Sequence, residues 1–64
     1  MSGEEAKRRR TNCGLTLYDV CVPVGISDTS LRLFEKGVHK TLKSENMEML
    51  ERVLTEAENK KGGK

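Results

Sequence analysis

The chain has 64 residues, of which 34% are apolar and 34% are charged. A chain of this length forms one small domain, which excludes most enzyme architectures. The net charge of +2 is too small to identify a polyanionic partner, so the positions of the charges matter more than their total.

No stretch approaches the roughly 18 apolar residues of a membrane span, and the first residues lack the basic and then apolar pattern of a secretory signal. We therefore expect a soluble, cytoplasmic protein with no membrane partner. Cys13 and Cys21 are too few for a disulfide framework, and with His39 as the single histidine they do not complete a four-ligand zinc site. The expectation is two reduced core thiols with no metal and no cofactor, and a bridge or redox role is the lesser alternative.

Three glycines divide the chain: Gly14, Gly25 and Gly37. Glycine often follows a helix end because it enters the left-handed backbone region without steric cost. Ser2 and Glu5 match a capping box, which predicts a first helix from Gly3 to about Cys13. Thr16 and Ser27 are predicted to cap the second and third helices in the same way.

The second helix is the least regular by sequence. The segment from Leu17 to Val24 is rich in β-branched residues, and Pro23 costs roughly 3 kcal/mol inside a helix. Taken locally, the segment is typical of a strand. A short helix from Thr16 to about Val22, with a distorted last turn, is the preferred interpretation because a lone strand has no evident partner in the chain.

The third helix is predicted to be amphipathic, with Leu31 and Phe34 facing inward. Ser44 is predicted to cap a fourth helix whose apolar residues follow the helical period: Met47, Leu50, Val53, Leu54 and Ala57. Residues 59–64 are predicted to be a flexible basic tail, which leaves residues 1–58 as the domain. The predicted fold class is all-α, a small bundle of four to five short helices.

Several short stretches together form one pattern along the chain: Gly14-Leu15-Thr16, Val20, Val24, Gly25-Ile26-Ser27, Ser30-Leu31, Phe34-Glu35-Lys36-Gly37, and the apolar run from Leu50 to Leu54. Together they resemble the helix-turn-helix of the phage repressor and Cro family, also called the Xre family. The resemblance covers about two-thirds of the chain. It implies a lambda-repressor-like bundle whose third helix enters the DNA major groove, and an ion pair between Arg10 and Glu35 that braces the motif. Two unrelated surface charges are the alternative for that pair.

The predicted DNA contacts lie at the start of the second helix, on the outer face of the third and in the loop after it: Thr16, Leu17, Ser27, Asp28, Thr29, Arg32, Leu33, Lys36, His39, Lys40 and Lys43. The lysines suit phosphates, and His39 suits either a phosphate or a backbone carbonyl. Three of these residues depart from the types common in the resembled family. Asp28 accepts from cytosine but repels phosphate, while Leu17 and Leu33 do no more than cover a thymine methyl group.

The leading hypothesis is a sequence-specific regulator of transcription that binds double-stranded DNA as a homodimer on paired operator half-sites. The alternative is a protein-interaction module, similar to an antirepressor or antitoxin, that keeps the fold but has little affinity for DNA. In that case Leu17, Tyr18 and Leu33 form an exposed apolar patch for a protein partner. An enzyme is not expected, because the sequence has no paired carboxylates, no nucleophile beside a base and no phosphate-binding glycine loop.

Overall fold

Four helices follow one another along residues 1–63, the part of the chain that the computed structural model describes, and no strand occurs among these residues. The helices are α1 (Gly3–Asn12), α2 (Leu17–Val24), α3 (Asp28–Lys36) and α4 (Ser44–Gly63). The predicted fold class, a small all-α bundle, is therefore confirmed.

Three of the predicted caps are present as hydrogen bonds. The Ser2 Oγ accepts from the Glu5 amide at 3.1 Å, which starts α1. Thr16 and Asp19 form a reciprocal pair at the start of α2, with amide-to-side-chain distances of 3.1 and 2.9 Å. Ser27 caps α3, since its Oγ accepts from the Ser30 amide at 3.1 Å. These bonds satisfy amides that have no partner within the first helical turn.

The second helix is longer than the sequence prediction, because it runs through Pro23 to Val24. Pro23 lies in the last turn, where it deprives only the Asp19 carbonyl of a helical hydrogen bond. Gly25 then ends the helix with a φ of 90°, and the Ile26 amide donates to the Cys21 carbonyl at 3.1 Å. The strand interpretation of this segment was wrong, because its apolar residues are buried at helical spacing.

The core takes at least one residue from each helix: Ala6, Val20, Cys21, Val24, Leu31, Phe34, Leu50 and Leu54. The second helix packs against α3 and α4, and α1 packs against the same two helices. All four helices therefore share one core. Within residues 1–63, the outer face of α3 is not covered by any of the other helices.

The start of α1 lies unusually close to the end of α3. A Cβ atom at Gly3 would stand 1.8 Å from the Phe34 carbonyl oxygen, which is a forbidden distance. Only glycine permits this approach of the two backbones, so Gly3 sets how closely α1 packs on α3.

The fourth helix begins at Ser44 itself, so Ser44 is the first helical residue rather than the cap before it. The helix continues to Gly63 and so includes residues 59–63 of the segment predicted as a tail, residues 59–64; Lys64 lies outside the described residues. The positive charges of Lys60 and Lys61 are favourable in the last turns of α4, because the carboxyl end of a helix is the negative end of its dipole. Lys61 Nζ also donates to the Asn12 carbonyl. None of the helices within residues 1–63 is both long enough and apolar enough to cross a bilayer.

Candidate nucleic-acid interface

The link between α2 and α3 is a turn of three residues, Gly25, Ile26 and Ser27. Ile26 is half-buried and packs against the core, which holds the angle between the two helices. The exposed Ser27 caps α3 and also donates to the Ser30 hydroxyl at 3.0 Å. The first turn of α3 is therefore ordered by its own cap.

The outer face of α3 carries several of the predicted DNA contacts. Thr29, Arg32 and Lys36 are exposed and Asp28 is half-buried, whereas Leu31 and Phe34 on the other side are fully buried. This arrangement leaves a polar helix face of two and a half turns open to solvent.

The remaining predicted contacts on the two helices differ in accessibility. Thr16 is exposed at the start of α2, but its side chain is already engaged with Asp19. Leu17 is half-buried against the core, and Leu33 is also half-buried. These two leucines therefore offer less apolar surface than the sequence predicts.

Asp28 and Arg32 form an ion pair on the outer face of α3. The carboxylate Oδ2 lies 3.5 Å from Arg32 Nη2, one helical turn away, and the side chains are 32% and 51% exposed. Arg32 thus points along the open face of α3 with an acidic neighbour beside it.

Arg10 and Glu35 join α1 to the end of α3. Arg10 Nε donates to Glu35 Oε2 at 2.8 Å, and Nη2 donates to Oε1 at 2.9 Å. The side chains are only 12% and 5% exposed, and Arg10 Nη1 also donates to the Leu15 carbonyl at 3.0 Å. The structure thus brings together the two residues of the predicted bracing pair in a bidentate, nearly buried geometry.

The loop after α3 is basic and exposed. Lys36, His39 and Lys40 line one surface cavity, together with the first residues of α1, and Lys43 follows just before α4. Glu35 is the sole acidic residue between positions 32 and 43, and its charge is buried against Arg10. The exposed charges along this stretch are therefore all basic.

Arg9 forms a cluster with α4 that the sequence did not predict. Its guanidinium donates to Glu58 at 2.6 Å and to Glu51 at 3.0 Å, and it also reaches Thr55. Hydrogen bonds from Arg9 lower the pKa values of both carboxyl groups, and the same bonds raise the pKa of Arg9 itself. Arg9 is thereby committed to the fold, while Arg8 beside it is exposed.

The spacing of Glu51 and Glu58, two helical turns apart on α4, is the signal in the sequence for this cluster. It becomes meaningful only when the position of α1 against α4 is known. Glu51 and Glu58 thus share one partner on α1, Arg9.

Two exposed apolar side chains lie on the outer surface of α2. Tyr18 is 63% exposed and Val22 is 69% exposed, and they are one helical turn apart. Of the three residues in the predicted apolar patch, Tyr18 alone is exposed. The exposed apolar neighbour of Tyr18 is therefore Val22 and not Leu17 or Leu33.

Across the described part of the chain, no three His, Cys, Asp or Glu side chains are grouped closely enough to hold a metal ion. Cys13 and Cys21 are both free thiols, with Cys21 in the core and Cys13 half-buried. The sequence matches no protein-family model, and neither the curated proteins nor the solved structures give a match.

Proposed function

We propose that this protein is a sequence-specific regulator of transcription that binds double-stranded DNA, with α2, the turn and α3 acting as a helix-turn-helix. The observation that carries the proposal is the purely basic exposed charge of residues 32–43, beside the open polar face of α3. A DNA major groove about 12 Å wide admits one α-helix, and its phosphates attract such a surface.

The contacts divide into two kinds. Asp28, Thr29 and Arg32, in the first turns of α3, face the base edges. Lys36, His39, Lys40 and Lys43 neutralise phosphates and position the helix without reading sequence. The Arg10–Glu35 pair keeps α3 fixed on α1 and neutralises the acidic charge of Glu35 within the basic stretch of residues 32–43.

Two copies bind half-sites about one helical turn, roughly 34 Å, apart, so that both α3 helices enter the same side of the duplex. A dimer bound at a promoter excludes RNA polymerase and represses transcription. The protein acts by occupying DNA and carries out no reaction. In the cell it is cytoplasmic and joins the nucleoid when it is bound.

The test is fluorescence polarisation with duplexes selected from a random-sequence library and with DNA upstream of the gene for this chain. Lys40→Ala is expected to weaken binding to all duplexes and to reduce the log–log salt slope by about 2, because each subunit of the dimer loses one phosphate contact. Lys60→Ala, which removes an exposed lysine from α4, is the matched control and should bind as wild type. Failure of the wild-type chain to bind any duplex at low salt would contradict the proposal.

A protein-interaction module is the second candidate, and the exposed pair Tyr18 and Val22 favours it. In this case the double variant Tyr18→Ser, Val22→Ser loses partner capture, whereas Arg32→Ala and Lys40→Ala retain it. The opposite result, with capture unaffected by the α2 changes, removes this candidate.

A further inference from the structure

Building on the proposed function, we propose that Asp28 is a specificity-determining residue. It holds the Arg32 guanidinium in place, so that α3 selects duplexes with a guanine opposite Arg32. The inference thus concerns which DNA is bound, whereas the proposed function concerns whether DNA is bound.

The first observation is that Asp28 is not needed to start its own helix. An aspartate at a helix start commonly accepts from backbone amides, but here the Ser27 Oγ accepts from the Ser30 amide at 3.1 Å. The carboxylate of Asp28 is directed instead to Arg32, with Oδ2 at 3.5 Å from Nη2. Because Ser27 caps the helix, the Asp28 carboxylate is available to pair with Arg32 on the outer face of α3.

The second observation concerns the other acidic residue of α3. Glu35 is 5% exposed and receives two hydrogen bonds from Arg10. Asp28 is thus the acidic residue on α3 that lies beside Arg32, and both of their side chains remain accessible to a large partner.

The chemical consequence follows from the shape of the guanidinium group. Arginine has five N–H donors in a planar fork, so a carboxylate that holds one edge leaves another edge for an acceptor pair. Guanine offers such a pair in the major groove, O6 and N7. A tethered arginine loses less side-chain freedom on binding, which favours the matching base over the others.

The charge of Asp28 also weakens binding to every duplex, whatever its base sequence. Its negative charge is repelled by the DNA backbone, so it lowers affinity for matched and unmatched duplexes alike. Removing the charge should consequently raise general affinity while reducing discrimination. This opposite movement of affinity and specificity distinguishes a tether from an acidic residue that merely fits poorly.

The experiment measures base preference by selection from a randomised duplex library, followed by polarisation with single-base variants of the selected site. It compares wild type, Asp28→Asn, Arg32→Ala and the double variant. Glu56→Gln, which removes one exposed acidic charge from α4, is the matched control. Melting curves of all the proteins establish that each is folded, and Asp28→Asn should melt within about 3 °C of wild type because exposed ion pairs add little stability.

Wild type is expected to prefer guanine at one half-site position by roughly 5-fold to 150-fold, the range of a good bidentate contact. Asp28→Asn should lower that preference several-fold and strengthen binding to unrelated duplexes. In the Arg32→Ala background the same change should leave base preference unaltered, because the tether has nothing to hold. Glu56→Gln should keep the wild-type preference.

The inference is overturned if Asp28→Asn raises affinity for all duplexes and leaves the guanine preference unchanged. It is equally overturned if no selected position depends on Arg32. Both results would leave the proposed function intact, since DNA is still bound. Absence of binding by wild type to any duplex would instead overturn the proposed function, and this inference with it.

Discussion

Arg10 and Glu35 show how one pair of side chains serves both packing and charge. Each carboxylate oxygen of Glu35 receives one N–H bond, and a third N–H of Arg10 reaches the Leu15 carbonyl. The desolvation of two nearly buried charges is offset only while both partners are present. Loss of one partner leaves the other charge buried without compensation.

Glu35→Ala is therefore expected to destabilise the protein by about 3 kcal/mol or more, a large share of the stability of so small a domain. The double variant Arg10→Met, Glu35→Leu should be less destabilised than Glu35→Ala, because it leaves no unpaired buried charge. Urea denaturation followed by circular dichroism measures both. A double variant that is destabilised more than Glu35→Ala would show that an unpaired buried charge is not the source of the loss.

Features controlled by neighbouring residues could be predicted from the sequence. The hydrogen bonds that Ser2, Thr16 and Ser27 accept each span three residues, so local spacing is sufficient. The contact at Gly3 and the partners of Arg9 could not be predicted, because they depend on how α1 lies against α3 and α4. Within the candidate site, the pattern predicted the exposed face of α3, but it did not show that Leu17 and Leu33 are partly covered.

The second helix shows tertiary packing overriding local preference. Its sequence favours a strand, yet Val20, Cys21 and Val24 are buried as one helical face against α3 and α4. Burial of these residues outweighs the cost of Pro23, which lies on the exposed side of the last turn.

Replacing Pro23 with alanine should therefore stabilise the protein. The new amide can donate to the Asp19 carbonyl, and the clash of the proline ring is removed; the greater freedom of the unfolded chain offsets part of the gain. The expected increase is about 1–2 kcal/mol, or roughly 5–10 °C in Tm, measured by thermal denaturation. Val22→Ala, at an exposed neighbour, is the control, and an unchanged or lower Tm for Pro23→Ala would contradict this account.

The contact between α1 and α4 predicts how stability depends on pH. Because Arg9 lowers the folded-state pKa values of Glu51 and Glu58, their contribution is complete above the ordinary carboxyl pKa of about 4.3 and is lost as the pH falls through the lower folded values. Arg9→Met should be less stable than wild type at pH 7, and the difference should shrink below about pH 4.

Arg8→Met removes an exposed arginine one position away and serves as the control for the loss of charge. Its stability should follow that of wild type at each pH. Chemical denaturation at several pH values measures all three proteins. A difference between wild type and Arg9→Met that stays constant down to pH 3 would argue against the two carboxylates as its source.

At the scale of the whole molecule, one stretch of the chain is basic and the stretch that follows it is largely acidic. Residues 32–43 expose basic side chains, whereas the acidic residues of α4 lie at positions 45, 48, 51, 56 and 58, two of them engaged by Arg9. A net charge of +2 therefore conceals a strongly basic surface.

If each subunit of a DNA-bound dimer meets three to five phosphates, the log–log slope of affinity against salt should lie at roughly −5 to −9. Polarisation titrations at several salt concentrations measure this slope. An affinity that hardly changes between low and moderate salt would indicate that the basic surface does not meet phosphates.

The close packing of Gly3 on the Phe34 carbonyl affects how the protein should be labelled for DNA-binding assays. Residues 2–4 line the same cavity as His39 and Lys40, while Met1 lies against Met47, Glu48 and Glu51 of α4, so a purification tag or fluorophore attached at the amino end would emerge between these basic and acidic side chains. It would mask them or add charge of its own and distort the measured affinities. Fusions and labels belong at the carboxyl end, beyond α4.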